Sequence, residues 1–198
     1  MAKRTMPNTE KGERYVNEKK GRGEFSVREL EVREYKGKKY EFRYETPGFY
    51  DFVIGQGSYN LVYRAFDRPV KKSFTDELVG SWLEEPCLYG IFRDGEPAGI
   101  AEGSMESWNN RFRISNFLIF EPFRRQKAGK QLMEQMLKRA EKEGARMAVL
   151  ETQSCNVGAI EFYKSCGFDM IGFDLYCYSN EDVSRGEVRI EMGIPLTK

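Results

Sequence analysis

The sequence predicts a mixed α/β fold in which a central sheet carries helices on both faces. Between Phe25 and Phe52, FSVRELEV and KKYEFRYE alternate apolar and polar residues as half-buried strands do. Two apolar runs flank an Asp-Gly turn in CLYGIFRDGEPAGIAEGSMESW, which predicts a β-hairpin. A strand–helix–strand run from Arg111 to Thr152 makes the sheet partly parallel.

The elements are predicted in the following order: a turn at 54–60, a short helix over 74–86, the hairpin over 87–108, a strand over 111–120, a helix from 129, a buried strand over 147–152, a helix over 156–165 and two closing strands, DMIGFDLYCYS and GEVRIEMGIPL. The short helix can begin at Thr75 or Asp76, and Pro86 ends it. The helix from Gly129 has an apolar face and has Gly144 past its end. That face comprises Leu132, Met133, Met136, Leu137 and Ala140.

Length and composition predict one domain over residues 25–198, preceded by a polar and flexible arm at 1–24. The charged fraction of 32% and the hydrophobic fraction of 40% are ordinary for a soluble chain. A net charge of +1 gives no general attraction to nucleic acid or membrane. Since no apolar run is long enough for a membrane span or a signal peptide, we expect a cytoplasmic protein. We expect it to be either a monomer or a homodimer.

The cysteine and histidine content restricts the chemistry. The four cysteines, Cys87, Cys155, Cys166 and Cys177, form no C-x-x-C pair, and the chain has no histidine. We therefore expect free thiols and no metal site. Catalysis by a Ser-His or Cys-His pair is excluded, so proton transfer falls to Glu, Asp, Tyr, Lys, Cys or water.

The segment RRQKAGK lies where a strand gives way to a helix. The first turn of a helix has unpaired N–H groups and a positive dipole end, so the loop before it can bind phosphates. Arg124, Arg125, Lys127 and Lys130 add positive charge there, which opposes the dipole in a purely structural helix. Charge alone leaves two interpretations open, a phosphate-binding loop and a solvated charged turn.

The next helix contains NVGAIEFYKSCGF. Taken singly, these residues fit structural roles: Asn156 as a helix cap, Phe162 as core, and Tyr163 as a half-buried aromatic. Taken together with the basic loop, they resemble the GCN5-related N-acetyltransferase (GNAT) superfamily. The pattern Asn-x-x-Ala-x-x-Phe-Tyr-x-x-x-Gly-Phe of that family matches in full, and its loop pattern Arg/Gln-x-x-Gly-x-Gly/Ala matches except that Lys127 replaces the first glycine.

Within the superfamily, the chain is most similar to streptothricin acetyltransferases. The similarity is carried by ESWNNRFRISNF, LETQSCNVGAIEFYKSCGF and IGFDLYCYSN. These enzymes acetylate an amine of a cationic antibiotic. They tend to have Glu-Asp where this chain has Ser115 and Asn116, a departure that leaves open a less cationic substrate.

The resemblance implies a GNAT fold, with a mixed and mostly antiparallel sheet and a splayed parallel strand pair at the cofactor slot. It also implies acetyl-CoA as the donor and a small-molecule amine as the acceptor. Tyr163 would be the general acid, Glu151 the general base, and Asp174 and Glu102 the residues that hold the substrate. The implied cofactor-binding residues are Phe117, Leu118, Ile119, Arg124, Arg125, Gln126, Lys127, Ala128, Gly129, Lys130, Asn156 and Tyr163.

Two alternatives remain at this point: a protein or peptide acetyltransferase of the same fold, and an acyl-CoA-binding module without turnover. The replacement at Lys127 bears on the second alternative, because a position that demands a positive φ would strain lysine by about 1–2 kcal/mol. We predict a negative φ at Lys127, which would let its ammonium reach a phosphate.

Overall fold

The computed structural model describes residues 23–196 of the chain, so nearly all of the predicted arm at 1–24 lies outside it. The chain divides into two compact units. The first unit comprises the residues up to Phe42, Thr75–Ala148 and the chain end from Leu196. The second unit comprises Arg43–Phe74 and Val149–Pro195. A single domain over 25–198 stays a prediction.

The strands are β1 (Phe25–Leu30), β2 (Lys39–Gly55), β3 (Ser58–Glu77), β4 (Cys87–Arg93), β5 (Glu96–Glu106), β6 (Arg111–Ile119), β7 (Met147–Gln153), β8 (Asp169–Asp174) and β9 (Arg189–Pro195). The α-helices are α1 (Ala128–Lys142), α2 (Val157–Ser165) and α3 (Asp182–Arg185). Two single-turn 3₁₀ helices lie at Val32–Glu34 and Glu121–Phe123. The short α3 was not predicted from the sequence.

In the first unit, β1, β4, β5 and β6 are neighbours in that order, and each adjacent pair is antiparallel. The hairpin between β4 and β5 turns at Asp94 and Gly95, whose φ angles are 49° and 79°. Two positive φ angles are what a two-residue hairpin turn requires, and Asp-Gly accepts them. The predicted hairpin is therefore confirmed.

The helix α1 packs against the sheet of the first unit, chiefly against β4 and β5. Four members of its predicted apolar face, Leu132, Met133, Met136 and Ala140, are fully buried, and the fifth, Leu137, is half-buried. Burying each of the larger side chains stabilises the fold by roughly 1.5–3 kcal/mol. Gly144, with φ 74°, follows the end of the helix as predicted.

In the second unit, β7, β9 and β8 are neighbours in that order, and β8 pairs with β9 in antiparallel orientation. The helix α2 begins where the sequence predicts, because the Asn156 side chain accepts a hydrogen bond from the Ala159 amide at 3.3 Å. The strands β2 and β3 form a separate two-stranded hairpin that runs through both units. Its turn contains Gly57 with φ 76°, so the predicted turn is confirmed.

The predicted helix over 74–86 is wrong. The strand β3 continues to Glu77, and the Leu78 amide then donates to the Lys38 carbonyl at 2.9 Å. Beyond that point Val79 and Glu85 have φ angles of 60° and 45°, which a right-handed helix cannot contain. Backbone pairing with the neighbouring strand thus satisfies the groups that a helix would have paired internally.

The predicted fold class is confirmed as mixed α/β with a mostly antiparallel sheet. Within residues 23–196, no helix is both long enough and apolar enough to cross a membrane.

Candidate functional site

The loop from Phe120 to Lys127 connects β6 to α1 in the first unit and contains two strained residues. Arg125 has φ 59°, and Lys127, which caps α1, has φ 70° and ψ 0°. The negative φ that we predicted for Lys127 is therefore wrong. The residue adopts a left-handed conformation that glycine accepts freely and that costs other residues about 1–2 kcal/mol.

The basic side chains of this loop are exposed, as a phosphate-binding role requires. Arg124, Arg125, Lys127 and Lys130 all lie at the surface. Within the described chain, no carboxylate lies within 4.0 Å of the Arg125, Lys127 or Lys130 nitrogens. The helix α1 starts without a side-chain cap. Its first amides and three uncompensated cations therefore lie at one end of a 15-residue helix.

Two other loop residues have partners within the first unit. Arg124 donates from Nε to the Ile119 carbonyl at 3.0 Å. Gln126 donates to the Pro122 carbonyl at 2.7 Å and accepts a hydrogen bond from Arg93. These contacts fix the loop to the end of β6, where the predicted cofactor-pairing backbone of 117–119 lies. The Ile119 carbonyl thus accepts one hydrogen bond from Arg124, and its second lone pair remains for another donor.

The strand β6 contains a β-bulge at Ser115, upstream of this backbone. Glu102 of β5 faces Asn116, whereas the next residue, Gly103, faces Ile114, so Ser115 is the extra residue. The resemblance implies a bulge on this strand. Splaying from β7 stays a prediction, since β7 belongs to the second unit.

Glu102 is fully buried beside the bulge, and its carboxylate accepts three hydrogen bonds. Oε1 accepts from the Val79 amide at 2.6 Å, and Oε2 accepts from the Ser115 hydroxyl at 2.7 Å and from the Asn116 side-chain amide at 2.9 Å. Side chains of consecutive residues in a regular strand point to opposite faces. Here the bulge lets both Ser115 and Asn116 reach one oxygen. No lysine or arginine of the described residues comes within 4.0 Å of this carboxylate.

The second unit holds the predicted general acid. Tyr163 lies on α2, one residue after Phe162, and is 8% exposed. Its ring packs near Phe162 and Phe168, with ring-centroid distances of 5.5 and 6.2 Å. Burial raises the pKa of the Tyr163 hydroxyl above its usual value, and the Cys166 thiol adds to this effect. The hydroxyl therefore stays protonated at neutral pH, as a proton donor must.

The predicted base and one predicted substrate-binding residue also lie in the second unit. Glu151 is exposed and accepts a hydrogen bond from the Tyr178 hydroxyl at 3.4 Å. An ion pair joins Glu151 Oε2 to Arg189 Nε at 2.7 Å. Asp174 is exposed and accepts from the Tyr176 amide at 3.0 Å. The Glu151 carboxylate is thus already engaged by a cation and a hydroxyl of its own unit.

The structure therefore groups the predicted residues in two sets. The first unit contains the loop, the backbone of 117–119 and Glu102, and the second unit contains Glu151, Asn156, Tyr163 and Asp174. Sequence reasoning missed two sets of partners: Ser115 and Asn116 around Glu102, and Arg189 and Tyr178 around Glu151. The sequence analysis singled out Ser115 and Asn116 only as replacements of an acidic pair, and it did not single out Arg189 or Tyr178.

No cluster of three or more His, Cys, Asp or Glu side chains suited to a metal ion occurs within residues 23–196. The described cysteines are all free thiols, as predicted.

We expect Lys127→Gly to raise the free energy of unfolding by up to about 1 kcal/mol, because glycine relieves the left-handed strain but loses more chain entropy on folding. Lys127→Gln removes the same charge and keeps the strain, so it should give no such gain. Chemical denaturation of both variants measures the difference. Equal stability of the two would contradict a strained Lys127.

Comparison with known proteins indicates the family of this chain independently of the geometry described above. A model of the acetyltransferase (GNAT) family matches residues 56–168, more than half of the chain. The chain is similar to a streptothricin acetyltransferase of Streptomyces lavendulae, with 27% identity over 183 residues that cover 80% of this chain and 96% of the relative. A streptothricin acetyltransferase of Escherichia coli is 33% identical over 95 residues, which cover 48% of this chain and 54% of the relative.

Solved structures show a similar fold. A nourseothricin acetyltransferase superposes with a TM-score of 0.71 at 21% identity, over 87% of this chain and 99% of the other. A Bacillus anthracis protein, assigned as a streptothricin acetyltransferase and solved with acetyl coenzyme A, superposes with a TM-score of 0.67 at 22% identity, over 87% and 100%.

Proposed function

The chain belongs to the acetyltransferase (GNAT) family, and from that premise we propose that it transfers the acetyl group of acetyl-CoA to a primary amine of a small cationic molecule of the streptothricin type. The observation that carries the proposal is the extent of the similarity to the Streptomyces lavendulae enzyme, which covers 96% of that relative. Similarity over nearly the whole relative includes the regions outside the cofactor-binding motifs, where acceptor specificity would lie.

The charge pattern of the first unit supports acetyl-CoA as the donor. Arg125, Lys127 and Lys130 are exposed and have no carboxylate within 4.0 Å among the described residues, and they lie beside the uncapped first turn of α1. A CoA pyrophosphate needs such a set of amide donors and cations. Asn156 and Tyr163 of the second unit are the other cofactor-binding residues that the family resemblance implies.

Two chemical tasks follow for the protein. An alkyl ammonium has a pKa of about 10.4, so it must lose a proton before its nitrogen can attack the thioester. When the tetrahedral intermediate collapses, the departing CoA thiolate needs a proton, and Tyr163 is the donor that we assign. For Glu151 to act as the base, the Oε2 atom that Arg189 contacts at 2.7 Å must be released, or the other carboxylate oxygen must take the proton.

We assign to Asp174 the binding of a positively charged group of the acceptor molecule. Its carboxylate is exposed, and none of the described lysines and arginines lies within 4.0 Å of it. An uncompensated exposed carboxylate can attract an ammonium group, with an interaction that weakens as salt is added.

Calorimetry with acetyl-CoA and a thiol-release assay test this function. The acceptor panel should contain a streptothricin, simple alkyl diamines and peptides with free N-termini, and mass spectrometry should identify the acetylated product. We expect CoA release with the streptothricin and little or none with peptides. Release with peptides alone would instead indicate a peptide acetyltransferase, and absence of acetyl-CoA binding would overturn the proposal.

A further inference from the structure

We propose that Ser115 and Glu102 form a proton relay that deprotonates the acceptor ammonium, with Ser115 in contact with the amine and Glu102 as the final proton acceptor. The inference rests on the proposed function and identifies a base for it. It differs from the sequence-based prediction, in which Glu102 binds the substrate directly and Glu151 is the base.

Burial and charge single out Glu102. Its side chain is 0% exposed, and its partners, the Val79 amide from the segment after β3 and Ser115 and Asn116 from β6, are all uncharged. Among the described residues, no cation lies within 4.0 Å. Buried carboxylates are normally paired with a cation, since burying an isolated charge costs several kcal/mol. Glu102 is thus a buried carboxylate whose hydrogen-bond partners in the described chain are all neutral.

The hydrogen bonds identify which oxygen takes the proton. Oε1 accepts from the backbone N–H of Val79, which can never act as an acceptor, so a proton on Oε1 would face another hydrogen. Oε2 is bound by the Ser115 hydroxyl and the Asn116 amide. A hydroxyl can rotate and an amide can flip, so each can change from donor to acceptor. Oε2 is therefore the oxygen that can be protonated while every hydrogen bond is kept.

Ser115 is the member of the network that an outside molecule can reach. It is half-buried, whereas Asn116 is 5% exposed and Glu102 is inaccessible. Ser115 is the extra residue of the bulge, and it precedes by two positions the backbone of 117–119 that we predict to pair with the pantetheine arm. The relay therefore begins beside the segment of β6 on which the donor is expected to lie.

The proton count of the relay balances. The ammonium donates one proton to Ser115 Oγ while the Ser115 hydroxyl proton moves to Glu102 Oε2. The neutral nitrogen then attacks the acetyl carbonyl and forms the new N–C bond. As the C–S bond breaks, the thiolate takes up one proton and the attacking nitrogen gives up one, so this step releases no proton. Glu102 finally returns its proton to solvent through Ser115, and this is the one proton that the overall reaction releases.

The test compares Glu102→Gln and Ser115→Ala with the wild-type chain over a pH series. In Glu102→Gln the new side-chain amide oxygen can still accept from the Val79 amide, so the fold should be kept, and thermal unfolding checks this. We expect single-turnover transfer at pH 7 to fall about 10²-fold in both variants, as is typical of a lost general base. The deficit should shrink as the pH approaches the amine pKa of about 10.4, where the acceptor deprotonates without help.

Three controls separate the relay from a purely structural role. Ser115→Thr keeps the hydroxyl and should restore most of the rate. Ser104→Ala removes the hydroxyl of a buried serine of β5 outside the relay and should leave the rate unchanged. With a hydrazide acceptor, which is already neutral at pH 7, both relay variants should match the wild type. A deficit that is independent of pH and of the acceptor would overturn the relay.

A second measurement keeps this inference distinct from the proposed function. If the wild-type chain acetylates no amine, the proposed function fails, and infrared difference spectra then decide the relay. A pH-dependent carboxylic acid band that is absent from Glu102→Gln and shifted in Ser115→Ala would support a protonatable Glu102 coupled to Ser115. Absence of that band would overturn it.

Discussion

Replacing Tyr163 with phenylalanine is expected to slow acetyl transfer at least tenfold while the affinity for acetyl-CoA stays close to unchanged. A positioned general acid contributes a factor of roughly 10²–10⁴ to the rate. The substitution removes only the hydroxyl, and the ring keeps its contacts with Phe162 and Phe168. Single-turnover kinetics and calorimetry measure the two quantities separately.

The pH dependence of this effect has a defined sign. Because burial raises the pKa of Tyr163 above its ordinary value of about 10, the hydroxyl stays protonated through the neutral and mildly alkaline range. The wild-type rate should therefore show no alkaline loss from Tyr163 below about pH 10.

Tyr50→Phe is the matched control for Tyr163→Phe. Its hydroxyl donates to Glu161 at 2.7 Å, in the same unit, and has no place in the proposed chemistry. This variant should keep the wild-type rate. An unaltered rate in Tyr163→Phe would remove Tyr163 from the mechanism, and equal losses in both variants would point to a structural effect.

Local signals made much of the fold predictable. The Asp94-Gly95 turn, the apolar face of α1 and the Asn156 cap each depend on residues within a few positions of one another, so the sequence pattern displays them directly. The strand β3 was missed for the opposite reason. Nearly all of its residues are exposed, so it lacks the alternation that identifies a half-buried strand.

Features that depend on long-range contacts could not be predicted. The side chains of β6 alternate between buried and half-buried along its whole length, so the pattern does not show the bulge at Ser115, which only the family resemblance implies. The partners of Glu102 come from two other segments, and those of Glu151 lie 27 and 38 residues farther along the chain. The conformation of Lys127 was mispredicted because the sequence shows the loss of a glycine but not the φ that the loop imposes.

The phosphate-binding role of the loop predicts that Arg125→Gln/Lys130→Gln will raise the dissociation constant for CoA by about 10²-fold at low salt. Charge-assisted hydrogen bonds contribute roughly 1.5–3 kcal/mol each, and screening should reduce the effect as salt is added. Lys138→Gln/Lys142→Gln removes the same charge from exposed positions near the other end of α1 and should leave the affinity nearly unchanged. Calorimetry on both double variants measures the difference. Equal losses of affinity would mean that CoA binding depends only on the net charge of the chain. No loss in either double variant would indicate that the loop is a solvated charged turn.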